Sequence, residues 1–88
     1  MEYGFGWPDD RQLVAVLKEL DTSKALVRVA QGELGRASSE LARSGNSPAC
    51  LDAFRTANRN LSQATERYRE AIHAFNAVCR KKVLAAAA

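Results

Sequence analysis

Glu70-Ala-Ile-His73 is the one stretch of this chain whose residue types and spacing match a catalytic device. A glutamate followed three residues later by a histidine sets two metal ligands on one helix face, as in carboxylate-bridged di-iron bundles. Two copies of the helix would supply two such pairs, and a second helix would have to add glutamates, Glu19 being nearest by level. The pair points away from the apolar seam described below, however, and a four-residue spacing recurs by chance. The expectation is therefore a solvated helix face, with no metal and no cofactor. His73 is also the sole histidine, and neither Cys50 nor Cys79 is near it in sequence, so no Cys–His or Ser–His nucleophile stands out. Glycine-rich phosphate loops, CxxC pairs and zinc-like cysteine spacings are missing as well. The clustered acidic residues of an all-helical nucleotide pyrophosphohydrolase do not occur either. The chain reads as a protein that is not an enzyme.

The basic residues offer different chemistry. Residues 9–44 hold six basic and six acidic side chains and balance to zero. Residues 48–84 hold seven basic (Arg55, Arg59, Arg67, Arg69, Arg80, Lys81, Lys82) against three acidic, a local charge of +4. Arg55, Arg59, Arg69 and Arg80 fall broadly on the outer face of one helix, and a basic helical face can contact nucleic-acid phosphates without reading sequence. Glu66 and Glu70 interleave with Arg67 and Arg69, so part of this charge is expected to be an ordinary salt-bridged surface. Nucleic-acid binding is thus the second functional reading.

Two seven-residue ladders must position all of these groups. Leu13, Leu20, Val27, Leu34 and Leu41 recur every seventh residue, with Val16, Ser23, Ala30, Ala37 and Ser44 three places behind them. In the second half Phe54, Leu61, Tyr68 and Phe75 form the large ladder, and Ala57, Ala64, Ala71 and Val78 the small one. Alternating three- and four-residue apolar steps describe the buried seam of a coiled coil. Gly45, Asn46, Ser47 and Pro48 lie between the halves, so the fold class is all-α, an antiparallel two-helix hairpin.

Local signals set the bounds. Met1 to Pro8 reads as a non-helical arm, because two glycines and a proline interrupt Tyr3, Phe5 and Trp7. Asp9 with Gln12 three residues on resembles a capping box, which predicts helix 1 over about residues 10–44. Gly45 can take the left-handed closing conformation, Ser47 caps the next helix and Pro48 fills its first position. Residues 45–47 are then the turn and helix 2 covers about 48–84, the hairpin domain spanning 9–84. Ala85–Ala88 is a low-information tail of the kind left by cloning. The cap-prone trio Asp21, Thr22 and Ser23 could break helix 1, giving three helices. Gly32 and Gly35 each cost about 1 kcal/mol against alanine in a helix and lie away from the seam, which points to a close approach by a second hairpin.

Setting Ser44 level with Pro48 brings Leu41 by Cys50, Ala37 by Phe54, Leu34 by Ala57 and Ala30 by Leu61. Nearly every layer then pairs a large side chain with a small one, which keeps layer volume steady. Ser23 by Tyr68 becomes the one polar layer.

One seam does not use all the apolar residues, which make up 47% of the chain. Leu17, Leu26, Val29, Leu51, Ile72, Cys79 and Val83 fall outside the ladders and are expected to form a partner-binding face. Burying six such side chains would contribute on the order of 10 kcal/mol, comparable to the stability of a whole small domain. Pairing of two hairpins into a homodimeric four-helix bundle covers this face most simply; an unknown protein partner is the other way. Tyr3, Phe5 and Trp7 alternate, so an extended arm would show all three on one side, either closing the open end of the bundle or docking in a groove. No run approaches the roughly 20 apolar residues of a membrane span, and the amino terminus lacks the pattern of a secretion signal. Cys50 and Cys79 are 29 residues apart on one helix, about 44 Å and far beyond bridging distance. Two free thiols suit a reducing, cytoplasmic setting. The functional expectation is a non-catalytic interaction or scaffolding module, from which a secretion chaperone or short hairpin effector is not separable by sequence.

Overall fold

The computed structural model describes residues 8–87, which form two long helices and no strand. α1 runs from Pro8 to Ser44 (37 residues) and α2 from Pro48 to Ala87 (40 residues), folded back on each other as a hairpin. The molecule measures 62 × 26 × 13 Å. With two helices among the described residues, each has a single neighbour.

Two helix ends lie beyond the expected bounds, while the continuity of α1 is as expected. α1 begins at Pro8, ahead of Asp9, because proline's missing N–H is no loss at a first helical position. Asp9 is thus inside the first turn instead of capping it, and only residues 1–7 of the arm fall outside the described residues. α2 continues past Leu84 through three alanines, the residue with the highest helix propensity. Finally, α1 is unbroken at Asp21-Thr22-Ser23. There the Ser23 hydroxyl donates to the Glu19 carbonyl (2.8 Å) and to the Leu20 carbonyl (3.1 Å), so a polar group is satisfied inside the helix. Among the described residues no hydrogen bond joins Ser23 to Tyr68, so the expected polar layer makes no cross-helix contact of that kind.

The turn is built from two interlocked caps. Gly45 (φ 66°) and Asn46 (φ 69°) are both left-handed, and the Asn46 N–H reaches back to the Leu41 carbonyl (3.4 Å), closing α1 in a Schellman arrangement. Ser47 then opens α2: its Oγ accepts the Cys50 N–H (3.3 Å), and its carbonyl accepts the Leu51 N–H (2.9 Å). Between the caps, Ser44 Oγ accepts the Ser47 N–H (3.4 Å) and donates to Leu41.

Small residues form the core. Ser23 (0% exposed), Ala30, Ala57, Ala64 and Ala71 are the buried ones, all members of the small ladders. The large rungs, from Leu13 to Leu41 and from Phe54 to Phe75, are half-buried and lap over the line of small residues. Ala37 and Ala57 line one shallow groove, Ala30 and Ala64 the next. Around Gly32 and Gly35 an added Cβ would meet nothing within 4 Å, so no close approach within the chain requires them. Among the described residues, no helix is long and apolar enough to cross a membrane.

Candidate interaction surface

At about 100° per residue, positions just before a large rung and positions just after a small rung lie on opposite sides of the seam. The hairpin therefore has two flanks. Glu19, Leu26, Glu33 and Glu40 of α1 share the first with Asn60 and Arg67 of α2. Leu17 and Lys24 of α1 share the second with Leu51, Thr65, Ile72 and Cys79 of α2.

The first flank is charged. Arg67 donates from Nε to Glu19 Oε2 (2.6 Å) and from Nη2 to Glu19 Oε1 (2.9 Å), a bidentate pair joining the helices. The Arg67 guanidinium holds the Glu19 carboxyl below the usual carboxylate range, and Glu19 in turn raises Arg67. Beside this strap, Leu26 and Val29 line a groove with Glu33, Asn60 and Gln63. Nearer the turn the groove continues between Arg36, Glu40 and Asp52.

The second flank is apolar in its open half. Leu17 is 43% exposed and Ile72 36%, with half-buried Cys79 next to them. Val14 and Val83, each about two-thirds exposed, extend the patch outward. Its turn half carries the half-buried Leu51 but is otherwise small and polar: Gln31, Gly35, Ser38, Asn58 and Ser62.

The seven residues expected to form one interface thus do not share a face. Leu26 and Val29 belong to the first flank, whereas Leu17, Leu51, Ile72, Cys79 and Val83 belong to the second. Val14 and Leu84 are exposed apolar residues that the ladder reading passed over. Val14 directly follows the rung Leu13, and Leu84 lies past the last rungs, Phe75 and Val78.

Of the basic set, Arg69 donates to Glu66 one turn away (2.6 Å), as the interleaved charges implied. No ion pair among the described residues includes Arg55, Arg59 or Arg80, all on the outer face of α2. Glu70 and His73 are exposed on that helix, and Glu19 is engaged by Arg67 instead of joining them. Among the described residues, no group of three or more His, Cys, Asp or Glu could hold a metal ion. Cys50 lies in the first turn of α2, where hydrogen bonding to the Ser44 and then the Ser47 hydroxyl draws its thiol below the usual value. Tyr3, Phe5 and Trp7 lie outside the described residues.

Set against protein-family models, curated proteins and solved structures, the chain matches none.

Proposed function

We propose that this hairpin is a non-catalytic interaction module whose copies pair, coiled-coil fashion, into a homodimeric four-helix bundle. One observation carries the reading: among the described residues the buried core consists of four alanines and a serine, while seven large apolar side chains are exposed. A lone hairpin therefore leaves most of its hydrophobic side chains only partly covered. A second copy supplies the missing layer of helices at no cost in new sequence. The two free thiols favour a reducing compartment such as the cytoplasm.

Light scattering behind a sizing column tests this directly. The expected mass is twice 9.6 kDa, falling toward one copy on dilution. A monomer at every concentration overturns the dimer.

A second reading, nucleic-acid binding through α2, is favoured by the absence, among the described residues, of ion pairs at Arg55, Arg59 and Arg80. It requires a salt-sensitive gel shift that Arg55→Glu with Arg59→Glu abolishes. An unshifted parent protein removes it.

A further inference from the structure

We infer that the second copy docks on the flank of Leu17, Ile72 and Cys79, with the two open ends together. This rests on the self-association proposed above and specifies its surface and symmetry.

The two flanks differ in what docking would bury. On the first, Leu26 and Val29 sit between Glu33 and the Glu19–Arg67 strap. Covering them takes several charges out of water, a desolvation cost that the pairing of those charges does not reliably return. On the second flank, with Ser44 level with Pro48, Leu17 and Ile72 lie within about one helical turn of the same height, with no charged position of that flank between them. Cys79, Val14 and Val83 continue the patch toward the open end. An apolar centre with charges at its rim is the anatomy of an interface.

Two symmetries could bring this flank onto a second copy of itself. A two-fold axis along the hairpin lays α1 on the partner's α2, open end to open end. Leu17 then meets the partner's Ile72 and the partner's Cys79. Asp21, which has no ion pair among the described residues, meets the partner's Arg69, and the contact occurs twice. A two-fold axis across the hairpin lays α1 on the partner's α1 in the opposite direction. With that axis at the middle of α1, where the helices overlap fully, Leu17 would face the partner's Gly35 in the polar turn half, and Lys24 would oppose the partner's Arg28, like charge against like. The first arrangement joins apolar patch to apolar patch and opposite charges to each other. Arg69 keeps Glu66 as its neighbour in the free hairpin and exchanges it for Asp21 on pairing.

The experiment compares dimer dissociation constants by sedimentation, with helix content followed by circular dichroism. Leu17→Asp with Ile72→Asp is expected to give a helical monomer, whereas Leu26→Asp with Val29→Asp keeps the dimer. Asp21→Arg and Arg69→Asp are each expected to weaken pairing roughly tenfold, and the double exchange to restore it. Loss of the dimer in the Leu26/Val29 variant alone overturns the choice of flank. Dissociation in the Leu17/Ile72 variant without rescue by the double exchange overturns the open-ends-together symmetry. A parent protein that is monomeric throughout overturns the self-association itself.

Discussion

Arg67 reaches across the hairpin from α2 and holds both carboxylate oxygens of Glu19 on α1. The pair is 48 residues apart in sequence, and apart from side-chain packing it is the clearest tie between the helices away from the turn. Both groups are solvent-facing, so salt screens their attraction. The strap therefore fixes which side chains lie together on the first flank more than it sets overall stability.

Its pH signature follows from the depressed Glu19 carboxyl. The folded value lies below the unfolded one, so this contribution is complete above the ordinary glutamate value near ~4.3. It is lost as pH falls through the lower, folded value. Melting temperature measured from neutral pH to strongly acidic pH should thus fall more for the parent than for Glu19→Gln. Parallel curves would show that the pair is energetically silent.

Ala71 is 3% exposed at the line where the helices meet, and Ala74, three residues on, faces solvent. Ala71→Leu is expected to cost about 1–3 kcal/mol by overpacking. Ala74→Leu should stay within about 0.5 kcal/mol. Equal urea midpoints for the two variants would contradict the small-residue seam.

Gly45 and Asn46 hold consecutive left-handed conformations. Gly45→Ala and Asn46→Val should each lose roughly 1–2 kcal/mol, the cost of a Cβ there, and Asn46→Gly should be tolerated. Thermal denaturation of the three variants checks this; a harmless Asn46→Val would mean that the turn takes another path.

Cys50 lies in the first turn of α2, its N–H bonded to the Ser47 hydroxyl, and hydrogen bonding to Ser44 and then Ser47 lowers its thiol. In a Cys79→Ala background, alkylation of Cys50 is expected to show a lower pH midpoint in the folded protein than in the urea-unfolded chain. Ser44→Ala and Ser47→Ala should each move that midpoint upward. Ser47→Ala should also cost about 0.5–2 kcal/mol as a lost cap. A midpoint unmoved by either change would remove the hydroxyls as its cause.

Two helices, their turn and the seam were legible in the residues themselves. Ladders of Leu, Phe and Ala at seven-residue spacing fix which side of each helix faces the other, because 3.6 residues per turn leaves no alternative stripe of that length. Gly45, Ser47 and Pro48 fix the reversal, because each suits one backbone position: a left-handed stop, a cap and a first helical residue. The continuity of α1 through Ser23 was less legible. Asp, Thr and Ser compete for backbone hydrogen bonds locally, and only the completed helix supplies the Glu19 and Leu20 carbonyls that satisfy Ser23.

The division of the surface was decided by tertiary structure. In sequence, Leu17 and Leu26 look alike, each a leucine lying just off the seam. Once the helices pair, Leu26 lies on the flank crossed by Glu19 and Arg67, and Leu17 lies opposite, with Ile72. Neighbours on a helix pair come from two strands of sequence running in opposite directions, so which charges surround which apolar side chain depends on the register between them. Periodicity along one chain carries the face of each helix; only the fold carries the company each face keeps.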